Sequence, residues 1–129
     1  KFIGDAIMAV FKGDDYDARA LRACIAIRNK INALPIYSEQ SGFKPKVSIG
    51  INSGEMVSGN IGSISLKKLD FTVIGDTVNV ASRLQSKASP GQILTLEKFA
   101  NAAPDFKYNS IGKMELTNKA LLVNVSEVE

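Results

Sequence analysis

The chain has 129 residues, 45% apolar and 22% charged, with a formal net charge of +3, which fits one domain over 1–129 with enough apolar side chains for a core. Its single cysteine, Cys24, excludes an internal disulfide, and the lack of histidine excludes Ser-His-Asp catalysis and His-ligated zinc. No stretch gathers Lys and Arg into a nucleic-acid footprint, and no apolar run reaches the length of a membrane span.

In chain order, Asp5 to Phe11 reads as a strand, with Ile7, Ala9 and Phe11 on one side and Ala6, Met8 and Val10 on the other. Apolar residues on both faces predict a central strand covered on both sides. Gly13-Asp14-Asp15 breaks it and offers a helix N-cap. Ala20, Cys24, Ile27, Ile31 and Leu34 then recur at helical spacing and predict one buried stripe, stopped by Pro35. On the same helix Arg19, Arg22, Arg28 and Lys30 read as a solvated face, and Cys24 as a buried, inert thiol. A polar loop through Ser41-Gly42 leads to a second strand, where Val47, Ile49 and Ile51 alternate with Ser48, Gly50 and Asn52. The Gly-rich run from Gly54 to Gly62 lacks the Lys-Ser/Thr ending of a P-loop and no helix follows it, so it predicts a hairpin. Leu69 to Ile74 reads as a third strand, and Asp76 or Thr77 as the cap of a helix running to about Ala88. Ser89-Pro90-Gly91-Gln92 is a turn, Ile93 to Leu96 a short strand, and Glu97 to Ala103 a short helix ended by Pro104. Further strands lie within Phe106 to Ile111 and Lys113 to Val128, with a turn near Thr117-Asn118. This order predicts one sandwich of sheet and helices, α+β or α/β.

The polar residues at strand ends and on first helical turns are Lys1, Asp5, Thr72, Asp76, Asn79 and Arg83. Asn79 and Arg83 fall four apart on the helix that opens after Gly75, so they share a face. An amide and a fixed positive charge near a helix N-terminus suit a phosphate-bearing ligand. Lys1 adds a second cation, and Asp5 a carboxylate able to bind a metal. Plain structural roles stand beside these: Asp5 shaping a turn, Asp76 capping a helix, Arg83 pairing with a surface carboxylate.

Two long motifs carry a resemblance. Lys1-Phe-Ile-Gly-Asp-Ala-Ile-Met-Ala-Val-Phe11 and Phe71-Thr-Val-Ile-Gly-Asp-Thr-Val-Asn-Val-Ala-Ser-Arg-Leu-Gln-Ser86 closely resemble the class III nucleotidyl cyclase catalytic domain, in its bacterial-type branch. Val47 to Ser63 and Ser89-Pro-Gly-Gln-Ile-Leu94 match the same family in the same order. The resemblance implies an α+β, ferredoxin-like fold of the βαββαβ type with extra C-terminal strands. It implies an adenylyl cyclase that converts ATP to 3′,5′-cyclic AMP and pyrophosphate, with two Mg2+ or Mn2+ ions per site. Asp5 matches a metal ligand, Arg83 the residue that stabilises charge on the α-phosphate, and Asn79 the residue that orients the ribose. Lys1 and Thr72 match the base-reading pair, and a Lys there can donate to N1 of adenine but not to the protonated N1 of guanine. The family acts as head-to-tail dimers, so in a homodimer Asp5 serves one site while Lys1, Thr72, Asn79 and Arg83 of the same chain serve the other.

The sequence departs from the family pattern in two places. The strand bearing a first metal Asp, with the helix and strand after it, is not in the chain, which opens inside a motif and without Met. We expect a domain incomplete at its N-terminus, a missing central strand that leaves two apolar strand edges unpaired, and a fragment inactive on its own. Near the C-terminus the family's phosphate-binding Lys is replaced by Thr117, and Lys119 is the candidate to reach the triphosphate instead. The expected setting is the cytoplasm, as the cytosolic part of a larger sensor or membrane protein whose membrane contact lies in upstream modules. Two rivals remain open at this point: a cyclase-like nucleotide-binding or regulatory dimerisation domain without turnover, and a purely structural ferredoxin-like interaction domain.

Overall fold

The structure, a computed structural model, describes residues 2–36, 40–55, 76–116 and 122–129. Its elements are β1 (Phe2–Ile3), β2 (Ala6–Ile7), α1 (Tyr16–Asn32), β3 (Ile49–Ile51), α2 (Asp76–Lys87), β4 (Ile93–Leu96), α3 (Glu97–Ala102), β5 (Tyr108–Glu115) and β6 (Leu122–Val128). The strand expected over 69–74, most of the hairpin expected between 54 and 62, and the turn near Thr117-Asn118 lie outside the described residues.

Four strands form the main sheet in the order β3-β4-β6-β5. β3 runs parallel to β4, while β4–β6 and β6–β5 are antiparallel. The parallel pair is closed at its entry by two loop bonds, Ile49 N to Gln92 O at 3.0 Å and Gly91 N to Val47 O at 2.7 Å. Those bonds need the chain to reverse at Ser89–Gln92, and the Gln92 amide donates to Ser89 O at 2.9 Å, as the Pro-Gly signal predicts.

Alternation along β4 divides the core. Ile93 joins Ala20 and Leu21 of α1, Ile51, Phe99 of α3, Ala103 and Val128 on one face. Leu94 joins Leu84 of α2, Leu116 and Val125 on the other. The sheet is therefore covered by helices on both sides, and a period of two is enough to sort the side chains. β5 obeys this only because it changes parity midway. Ser110 pairs with Ser126 and Gly112 with Val125, leaving Ile111 as the extra residue of a bulge. Tyr108 thus faces the α1 side while Met114 and Leu116, also even-numbered, face α2.

Three expectations are corrected. Among the described residues the strand predicted over Asp5–Phe11 is paired only at Ala6–Ile7, against Phe2–Ile3, in a two-stranded sheet separate from the main one. It is not central: Phe2 is 79% and Ile7 70% exposed, and only Phe11 packs onto the core. An apolar run becomes strand only where another strand offers amides and carbonyls, and β1 offers them for two residues. Second, the buried stripe of α1 runs along Ala20, Leu21, Cys24 and Ile25, whereas Ile27 and Leu34 are 47% and 45% exposed. The helix ends at Asn32, before Leu34, and its contact rows follow four-residue steps, 20 to 24 and 21 to 25. Arg28, next on the first row, is half-buried and donates to Val128 O at 3.0 Å instead of lying in solvent. Third, Asp15 holds the N-cap position but in a left-handed conformation (φ 53, ψ 33), with no side-chain capping bond.

Among the described residues β3 ends the main sheet, with β4 as its neighbour. Its middle residue, Gly50, faces α2, and a Cβ built there would collide with Ala81 O and Gln85 N and lie 2.9 Å from Leu84 Cβ. The helix backbone rests on the strand with no room for a methyl group. Gly50→Ala is therefore expected to cost about 2–3 kcal/mol through overpacking, read as a lowered urea midpoint; an unchanged midpoint would contradict this packing. The Cys24 thiol is pushed up from 9.0 to about 11 by burial. The folded state holds that proton more tightly than the unfolded chain. Its stability contribution is thus fully present below pH 9 and lost as pH rises towards 11. Alkylation of native Cys24 at pH 9 should be slower than in the urea-unfolded chain, and equal rates would contradict the burial.

Candidate nucleotide site

α2 carries the candidate residues because its apolar row fixes its rotation. Leu84 is fully buried, and Val80 and Ala88 pack beside it against the sheet, each four residues apart. Asn79 and Arg83 form the adjacent row. Asn79 is exposed, whereas Arg83, beside Leu84, is half-buried. Arg83 Nη1 donates to Leu116 O at 2.7 Å. Leu116 is itself in the core, so that carbonyl is a fixed anchor at the end of β5. A guanidinium has five N–H donors, and one such bond orients the fork without exhausting it. The arrangement offers a neutral amide and an oriented cation to one ligand, the combination suited to a sugar hydroxyl and a phosphate.

The start of α2 is tied to the chain leaving β3. Asn52 Nδ2 donates to Thr77 O at 3.2 Å, and Thr77 Oγ1 donates to Glu55 O at 2.9 Å. This corrects the capping role foreseen for Thr77: its hydroxyl reaches across to another segment and not to its own helix. Asp76 is the first helical residue, an exposed carboxylate in the first turn, where it complements the helix dipole.

Asp5 is exposed on the two-residue turn between β1 and β2, next to Gly4 at φ 60. The turn role foreseen for it is real, and its carboxylate is open to a ligand. It stands on a different sheet from the one that α2 packs against. Among the described residues no group of three or more acidic, His or Cys side chains could hold a metal ion. Asp5 therefore fits as one hard oxygen ligand and not as a complete metal site. Lys1, Thr72 and Lys119 lie outside the described residues. The structure thus puts Asn79 and Arg83 on one row of α2 and Asp5 on the turn of a separate two-stranded sheet.

Sequence reasoning missed Gly50, the Asn52–Thr77–Glu55 ties and the Leu116 carbonyl. A glycine at the centre of an Ile-Gly-Ile strand was a usable signal, since it marks a close backbone approach. The bond to Leu116 O had no signal, because a backbone acceptor has no residue-type signature. Among the described residues no helix is long and apolar enough to cross a membrane.

Comparison with known proteins agrees with the motifs. The family model described as the adenylate and guanylate cyclase catalytic domain matches residues 1–125. A terminal-differentiation-specific adenylate cyclase from Dictyostelium discoideum is 32% identical over 99% of this chain, which spans 6% of that protein's length. An adenylate cyclase from Anabaena cylindrica is 41% identical over 66% of the chain, which spans 17% of its length. Among solved structures, the adenylyl cyclase CyaB from P. aeruginosa superposes with a TM-score of 0.81 at 29% identity, covering 100% of this chain and 69% of its own. The guanylyl cyclase Cya2 superposes with a TM-score of 0.80 at 27% identity, covering 99% of this chain and 67% of its own. Motifs, sheet and neighbours converge, and the chain belongs to the adenylate and guanylate cyclase catalytic-domain family.

Proposed function

We propose that this chain, as a single domain over 1–129, carries one share of an adenylyl cyclase site that converts ATP to 3′,5′-cyclic AMP and pyrophosphate. The observation that carries the reading is the row formed by exposed Asn79 and anchored Arg83 on α2. In the reaction the ribose 3′-oxygen forms a bond to the α-phosphorus and the bond from that phosphorus to the β-phosphate oxygen breaks. The hydroxyl proton passes to solvent and pyrophosphate leaves. Arg83 meets the charge that grows on the α-phosphate, and its bond to Leu116 O holds it ready, so little reorganisation is needed as that charge develops. Asn79, one helical turn earlier, holds the ribose so that the 3′-oxygen lies in line. A bound Mg2+ or Mn2+ would neutralise the triphosphate and make the 3′-hydroxyl easier to deprotonate. Asp5 would hold it together with phosphate oxygens.

The placement of Asp5 on a sheet other than the one α2 packs against is consistent with a shared site. In a head-to-tail homodimer the turn of one copy faces α2 of the other, and each site takes Asp5 from one chain and Asn79 and Arg83 from its partner. Lys1 and Thr72 would read adenine, and Lys119 would reach the triphosphate. The base preference rests on the Lys1–Thr72 pair alone, because the fold is common to adenylyl and guanylyl cyclases. Thr117, where the family pattern carries a phosphate-binding Lys, favours a second reading: a nucleotide-binding regulatory module without turnover.

Cyclic-nucleotide formation separates these readings, measured with Mn2+ on the chain expressed at the full length of its gene. Cyclic AMP from ATP is expected. Arg83→Ala should lower kcat by about 100-fold or more, as for loss of one preorganised donor, and Asp5→Ala should abolish metal-dependent turnover. Full activity in either variant would sink that residue's role. Product from GTP alone would overturn the Lys1–Thr72 argument, and binding of a non-cyclisable ATP analogue without any product would select the regulatory module.

A further inference from the structure

We infer that Asn52 and Thr77 are positioning residues of the cyclase site, joined in a polar strap that sets where α2 begins and hence where Asn79 and Arg83 stand. The inference rests on the proposed function and adds to it two side chains with no assigned role. The strap has two bonds in opposite senses. Asn52, just past the end of β3, donates to Thr77 O at 3.2 Å, and Thr77 donates to Glu55 O at 2.9 Å. One residue on the helix is thus gripped through both its backbone and its side chain. Gly54 lets the two segments close: a Cβ built there would lie 2.7 Å from Thr77 Oγ1. The first turn of a helix is where its backbone frays most readily, since its N–H groups lack internal partners. Thr77 is two residues before Asn79, inside that turn.

The grip matters for chemistry because of what the other contacts leave undefined. Gly50 and Leu84 hold the middle of α2 against the sheet, and Arg83 is tied to Leu116 O. Asn79 is exposed, and among the described residues the strap is the nearest side-chain hydrogen bond to it along the helix, on the N-terminal side, where the packing of Val80 does not reach. Loss of the Thr77 hydroxyl frees the first turn and lets Asn79 drift from the ribose. Displacements of about 1 Å from a residue outside the chemistry can cost up to about 100-fold in rate.

The test is steady-state cyclase kinetics on Thr77→Val, Thr77→Ser and Asn52→Ala, with thermal unfolding of each, in the full-length protein. Thr77→Val keeps the shape and removes the donor. It should lower kcat by about 10- to 100-fold while the protein stays folded at the assay temperature. Thr77→Ser should restore most of that loss, because only the hydroxyl is needed. Asn52→Ala should also lower kcat, and the double variant Asn52→Ala/Thr77→Val should be no worse than about the poorer single, as expected for one unit. A wild-type kcat in Thr77→Val, or a serine variant as poor as the valine one, overturns the strap. Should Thr77→Val fail to fold, the kcat of Asn52→Ala decides alone. Arg83→Ala keeps the two levels apart: if it is fully active the functional reading has failed, and if it is inactive while Thr77→Val is normal only the strap has failed.

Discussion

The backbone of α2 lies directly on β3, and the missing side chain of Gly50 makes that contact possible. Much else depends on it. With the helix at this distance, Leu84 reaches Leu94, Leu116 and Val125 and closes one half of the core. A larger residue at 50 would lift the helix and leave a void under Leu84, losing dispersion contacts along its whole length. The rotation of the helix follows from the same contact, since Val80, Leu84 and Ala88 must point inward. Asn79 and Arg83 then have no choice of face. Arg83 lies at the edge of the apolar row, half-buried, with its head bonded to Leu116 O.

Two kinds of pattern were readable without coordinates. The helix start at Asp76 or Thr77 and its run to about Ala88 place α2 within a residue of its end, and Ser89-Pro90-Gly91-Gln92 gives the turn that precedes β4. Both are local: spacing and turn chemistry decide them. The four-residue step from Asn79 to Arg83 is local too, so that part of the site was visible. Asp5–Phe11 failed as a central strand because strand length is set by partners and not by the run itself. The stripe on α1 failed at Ile27 and Leu34 for a related reason: which apolar residues are buried depends on where the sheet lies and where the helix stops. Thr77 is, beside Asp76, a cap candidate because a Thr near a helix start often caps it. The nearby carbonyl of Glu55 offers its hydroxyl another partner, and only the fold brings residues 22 apart in sequence together.

The same geometry explains why family membership leaves the choice of base open. The fold is shared with structures of both adenylyl and guanylyl cyclases. In the proposed site the sheet and α2 serve the ribose and the phosphates, which ATP and GTP have in common. In the proposed reading base choice falls to Lys1 and Thr72, so one scaffold can serve either nucleotide by changing a few hydrogen-bonding groups.

The central claim is that α2 presents Asn79 and Arg83 to the ribose and phosphates of one nucleotide. Its most direct test is an NMR titration of the arginine Nε–Hε and asparagine side-chain amide resonances with a non-cyclisable ATP analogue and Mg2+. The Arg83 signal would be assigned by its loss in Arg83→Lys, and that of Asn79 by its loss in Asn79→Ala. The account predicts that both signals shift together as the analogue binds. A bound analogue that moves other resonances while leaving these two in place would contradict it.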